Sequence, residues 1–231
     1  MEPLYFIIYF VFQSTFMYSQ DESLEALQDI KKMMERSSRF ISLSGWSGIA
    51  AGICALLGAW FAHNKITQYS AEANTDKTTH DIFSFPQIGL LQELMLIALF
   101  TFMAAFVFAF IFTYLRSKKN KIPLWGLTAK RLLINTAIPM MVGGIVILRM
   151  MQLGYYELVA SSCLVFYGLA LVNASKYTLA EIRYLGYAEL ILGVISFWEI
   201  GFGLYFWAAG FGVLHIIYGT WMWWKYERVK S

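Results

Sequence analysis

Apolar residues in this chain come in blocks rather than stripes. Six long blocks, at about 42–63, 89–115, 131–150, 156–174, 183–204 and 208–224, hold few charges and no sustained alternation. Runs of about 18 apolar residues or more cross the ~30 Å hydrocarbon core of a bilayer as helices. The pattern therefore predicts an all-α, polytopic transmembrane bundle of six spans over 41–231. Upstream, residues 19–40 change character. Ser19 and Glu22 have capping-box spacing, acids crowd the first turn, and Leu24, Leu27, Ile30 and Met34 form one apolar stripe. This reads as an amphipathic helix on the inner membrane surface, with docking to a protein partner as its other use. Residues 1–18 are apolar but lack the basic start and small-residue cleavage site of a signal peptide. They are either an extra span with its amino end outside or a stretch ahead of a start at Met17.

Composition strengthens the membrane reading. Of 231 residues, 58% are hydrophobic and only 14% charged, whereas soluble domains carry about a quarter charged residues. The net charge of +3 matters less than where the bases fall. Segments 19–40, 116–131, 175–183 and 225–231 hold 15 of the 18 Lys and Arg, leaving Lys65, Lys77 and Arg149 on the opposite side. By the positive-inside rule those four segments face the cytoplasm, and so does the C-terminus. Trp221, Trp223, Trp224 and Tyr226 then sit at the inner headgroups, and Trp60 and Trp207 at the outer ones. The polar stretch 64–88 is the main outer loop, too short to build a core of its own.

Small residues supply the packing surfaces. Gly48 and Gly52 form a GxxxG within the stripe Gly45, Gly48, Gly52, Ala55, Ala59. Such stripes let helices approach closely within one chain, and they also suit a homo-oligomer. Pro139 interrupts the third block and predicts a helix kink there, with Gly143 and Gly144 one turn later.

Candidate chemistry is confined to ionisable groups inside the blocks, each of which asks for a partner or a purpose. Hairpin arithmetic around residue 153 puts Arg149 level with Glu157, predicting a structural ion pair. Around 206–207 the same arithmetic puts Glu199 level with His215. Glu189 lies nearer the inner leaflet, so that Glu189, Glu199 and His215 form a candidate intramembrane polar site. Cys54 and Cys163 lie within apolar blocks without CxxC spacing, and His63, His80 and His215 lack metal-ligand spacing. No metal, cofactor or catalytic residue is predicted, nor any motif for nucleotide, protease or hydrolase chemistry. The basic segment 116–131 is assigned to topology and membrane lipid, not to nucleic acid.

The stretches ESLEALQDIKKMMERSSRFISLSGWSGIAAGICALLGAW and GYAELILGVISFWEIGFGLYFWAAGFGVLHIIYG resemble small, uncharacterised polytopic inner-membrane proteins of Bacteroidota-type bacteria. That resemblance implies a bacterial inner membrane and carries no activity or site residue. Together these features lead us to expect a non-enzymatic accessory, sensing or partner-binding membrane component. The rival expectation is a small proton-coupled transporter or channel using Glu189, Glu199 and His215.

Overall fold

The computed structural model describes residues 44–75, 86–120 and 125–228. Segment 1–18, the expected surface helix at 19–40, Lys77, His80 and Lys121 lie outside these residues. Helices are the regular structure throughout the described residues: α1 (Gly45–Thr75), α2 (Pro86–Asn120), α3 (Leu127–Gln152), α4 (Val159–Ala174), α5 (Ile182–Ser196), α6 (Gly203–Trp207) and α7 (His215–Tyr226). A 3₁₀ turn, Tyr156–Leu158, leads into α4. A π-helical segment, Ala208–Leu214, joins α6 to α7 without a break, so the described chain forms six rods.

Among the described residues four stretches are long and apolar enough to cross a membrane: Gly45–Glu72, Gly89–Asn120, Leu127–Gln152 and Tyr156–Ala174. The expected count of six is not reached on these grounds. Helix α5 has 15 residues, which at ~1.5 Å per residue spans only ~22 Å. The last rod changes helical type in its middle. Two boundaries also moved. Residues 64–75, expected in the outer loop, continue α1 because ITQYSAEANT contains neither Gly nor Pro to end it. The turn expected near 206–207 falls instead at 197–202. Gly201 there adopts φ +94°, a left-handed conformation open to glycine and costly for most other residues.

The strongest packing is α4 on α5, followed by α1 on α2, with α1 on α7 and α3 on α4 next. Close approach rests on glycine. A Cβ on Gly168 would lie 2.8 Å from the Gly186 carbonyl, and one on Gly193 2.8 Å from the Val165 side chain. Gly48 and Gly52 of the GxxxG face the last rod of the same chain. A Cβ on Gly48 would lie 3.2 Å from Gly219 Cα, and one on Gly52 2.6 Å from the Gly212 carbonyl. This is the intramolecular use of the motif. Helix α2 packs chiefly on α1 and leaves Phe100, Phe106 and Phe110 exposed, as a lipid-facing rod would. Pro139 lies inside α3, which is assigned as one helix from Leu127 to Gln152.

One end of the bundle is stapled by Glu227. Its carboxylate accepts hydrogen bonds from Gly45 N–H at 2.7 Å, Ser44 Oγ at 3.1 Å and Arg116 Nη1 at 2.7 Å. A carboxylate beside the first turn of α1 satisfies a donor that the helix itself leaves unpaired, and it suits the positive end of the helix dipole. Glu227 thereby ties the start of α1 to the end of α2 and the last rod. Glu227→Ala should lower stability by about 1–2 kcal/mol, a lost cap plus a lost ion pair. Glu227→Gln should lose less, since it still presents an acceptor to Gly45. Thermal unfolding in detergent micelles checks both, and equal losses in the two variants would contradict the capping role.

Candidate functional site

The polar site is built where α4, α5 and the π-helical segment meet. Helix α5 buries one face, including Ile182, Leu185, Gly186, Glu189, Gly193 and Ser196. Glu189 falls on that face and has no exposed surface. It is held there because Gly186 and Gly193, one turn to either side, bring α4 into backbone range. Across from it, Gly210 gives the carboxyl room: a Cβ at that position would lie 2.5 Å from Glu189 Oε2. The widened turns of the π segment place Gly210 against the carboxyl and His215 one step beyond. Single π turns of this kind recur at functional sites.

His215 is 7% exposed and makes three polar contacts. Its Nε2 lies 2.7 Å from Tyr167 Oη, its Nδ1 lies 3.1 Å from the Gly210 carbonyl, and the same Nδ1 lies 3.5 Å from Glu189 Oε1. A neutral imidazole with its hydrogen on Nδ1 fits this set. It donates to the Gly210 carbonyl and accepts the Tyr167 hydroxyl at Nε2, an assignment made from the network. Ring packing holds the geometry. Tyr167 stacks on His215 at 5.4 Å, Phe211 lies 5.0 Å from Tyr167, and Trp207 lies 5.0 Å from Phe211.

Glu189 is the member left over. Neither carboxyl oxygen has a hydrogen-bond partner, and the Tyr218 hydroxyl is in the same position. These are the unsatisfied buried side-chain polar atoms among the described residues. An unmade hydrogen bond in an apolar interior costs about 1–3 kcal/mol, so a native structure that keeps one calls for a reason.

The expected trio is thus divided. Glu189 and His215 come together, but Glu199 stands exposed on the turn after α5. The cause is the turn itself. With α5 ending at Ser196 and the chain reversing around Gly201, the residue level with His215 is Glu189, ten positions earlier than Glu199. The Arg149–Glu157 pair is likewise not formed among the described residues. Arg149 Nη1 donates to Gln152 Oε1 at 3.2 Å, and Glu157 is exposed on the 3₁₀ turn, out of line with the helix that the arithmetic assumed. Tyr167, Gly210 and Tyr218 were not singled out in sequence, where each looks like ordinary packing in an apolar run. The cluster AAGFG was the available signal, being unusually small-residue for the middle of a helix.

Two further polar groups frame the bundle. Glu181 accepts hydrogen bonds from Lys225 Nζ at 2.5 Å and Tyr226 Oη at 2.6 Å, at the same end as Glu227. At the other end Lys65 pairs with Glu93 at 2.9 Å, both half exposed. Partial burial pushes the Glu181 carboxyl up, but the bonds from Lys225 and Tyr226 outweigh it and hold it below the usual carboxylate range. A carboxyl depressed on folding contributes stability that is present above its unfolded value of about 4.3 and lost as pH falls through the folded value. Stability should therefore decline on acidification below that point, and Glu181→Gln should flatten part of the decline. Unfolding midpoints measured over an acid series check it, and an unchanged slope in the variant would contradict the assignment.

Among the described residues no group of three or more His, Cys, Asp or Glu converges as a metal site would require. Fold and site together define the class: among the described residues, an all-helical protein with four apolar helices of membrane-crossing length and a buried Glu189–His215 pair joined by Tyr167. No family model matches the chain, no curated protein matches it, and no solved structure matches it.

Proposed function

We propose that this chain is a non-enzymatic integral protein of a bacterial inner membrane, with an accessory or sensing role and no solute pathway of its own. In this reading α5 and the last rod also cross the bilayer, making six spans with the C-terminus in the cytoplasm. Support for that arrangement comes from the 15 of 18 bases on one set of segments. Segment 19–40 is the place for a protein partner, because the apolar stripe and charges of its sequence stand apart from the apolar blocks.

One observation carries the functional reading: Glu189 has no exposed surface and His215 almost none. A transport site must be loaded and emptied with water or solute reaching it from both sides. Here the carboxyl is closed in by Leu164, Gly210 and His215. Glu199, which a transmembrane relay would need as its outer station, stands apart on the turn. A sealed group of this kind suits a protein whose packing responds to a signal better than one that passes a substrate.

The test is reconstitution. Proteoliposomes carrying an imposed pH gradient should show no protein-dependent proton flux or solute uptake, and Glu189→Gln should make no difference to either. Uptake driven by the gradient and abolished in that variant would replace this reading with a proton-coupled transporter.

A further inference from the structure

We propose that Glu189 is a proton-binding site filled from one end of the bundle only, the Glu181–Lys225–Tyr226 end, by way of Tyr218 and the Tyr167–His215 pair. The inference rests on the sensing role above and names what is sensed.

Among the described residues Glu189 and Tyr218 are the two side chains with buried polar atoms that lack a hydrogen-bond partner. On α7, His215, Tyr218 and Tyr226 recur at spacings of three and eight residues, which puts them on one side of the helix. Tyr226 is bonded to Glu181, which precedes the first turn of α5, the helix that carries Glu189. The groups therefore form a ladder between two antiparallel rods. It starts at the Glu181 carboxylate, passes the Tyr218 hydroxyl roughly 10 Å along α7, and ends at Tyr167, His215 and Glu189. Tyr218 is the electrostatic neighbour of Glu181 and Tyr226 on one side and of Tyr167 on the other. Bridging water closes the steps where hydroxyls do not touch. In the opposite direction the ladder stops. Beyond His215 come Phe211 and Trp207 in ring contact, and beyond Glu189 the Gly193–Val165 contact. Ser161 and Ser196 lie farther on and are bonded to each other at 2.9 Å.

The titratable groups that face the Glu189 carboxyl are His215 from α7 and Tyr167 from α4. Helix α1 presents Gly48 and Gly52 to this part of the last rod. The transfer balances through the imidazole. Starting from ionised Glu189, a proton arriving at the Tyr167 oxygen lets the hydroxyl pass its own proton to His215 Nε2. The imidazole then gives its Nδ1 proton to Glu189 Oε1, and the ring ends neutral as the other tautomer. Nδ1 has now become an acceptor and can no longer donate to the Gly210 carbonyl. The Glu189 hydroxyl donates to Nδ1 instead. Proton uptake thus removes a hydrogen bond from the π segment, which links an occupied site to the shape of the last rod.

Infrared difference spectroscopy of the full chain in lipid nanodiscs tests this. A protonated-carboxyl band should grow as pH is lowered, and its absence in Glu189→Gln assigns it. On transfer to D₂O the band should exchange, and Tyr218→Phe should slow that exchange about a hundredfold, the low end of what a positioned proton-transfer group contributes. Tyr167→Phe gives a second reading should the first variant fold poorly. A missing band, or exchange unchanged in both phenylalanine variants, overturns the proposal while leaving the flux result intact. Gradient-driven flux together with a normal band overturns the sensing role and leaves the proton site standing.

Discussion

Glu189→Met should make the protein more stable. The side chain has no exposed surface and neither carboxyl oxygen meets a donor, so methionine of similar length replaces an unsatisfied polar group with an apolar one. Removing such a group from an interior recovers about 1–3 kcal/mol. An unbranched side chain follows the same path past Gly210, where a branched one would press on the backbone. Glu189→Gln should change little, because it leaves polar atoms in the same unsatisfied place. The measurement is the unfolding midpoint in detergent for the three proteins at one pH. A large loss for the methionine variant would mean that the carboxyl is satisfied in solution and holds the rods together. Stabilisation would instead mark Glu189 as a residue carried at a cost to stability, which is what a working group looks like when seen from the fold.

That same residue shows how far the chain can be read without its structure. Glu189 and His215 were visible, together with Glu199, because ionisable residues within apolar blocks are rare and expensive. Their pairing was not visible. It depends on where the chain reverses, and a single glycine with positive φ shifted that point by about five residues, enough to exchange Glu199 for Glu189. The same rods fall short of the length and hydropathy that would mark a fifth and sixth span. Hydropathy treats 183–204 as one block, whereas the backbone ends α5 at Ser196 and turns. Tyr167 was hidden for another reason: a tyrosine in an apolar run announces nothing until its hydroxyl is seen 2.7 Å from an imidazole. The Arg116–Glu227 staple joins positions 111 apart in sequence. Arg116 looked like one base among several in a topology-setting segment, and no local pattern links it to a glutamate at the far end of the chain. By contrast the Gly48–Gly52 stripe was legible, since closeness of helices in lipid is written in side-chain size. Its choice between an internal and an external partner was not legible, and contact with Gly212 and Gly219 answers it for this chain.

That contact makes the last expectation sharp. Gly52→Leu should cost about 3 kcal/mol or more, at or beyond the upper end of what overpacking a close interface costs. The first atom of the new side chain would lie 2.6 Å from the Gly212 carbonyl and 3.1 Å from the Ile216 backbone nitrogen. Backbone cannot rotate away as a side chain can, so α1 must separate from the last rod. The separation would also loosen the Glu227 cap, because Ser44 and Gly45 ride on the start of the same helix. Gly144→Leu is the matched control. It makes the same chemical change within a helix, but nothing lies within 4 Å of its Cβ, and leucine is the better helix former. It should leave stability unchanged or slightly raised. Unfolding midpoints compare the two, and mass measurement of the detergent complex separates two uses of the glycine stripe. If Gly52→Leu leaves the midpoint alone and halves the mass of the particle, the stripe joins two copies. The internal account requires the opposite, a lowered midpoint at constant mass, because the helix that Gly52 touches belongs to its own chain.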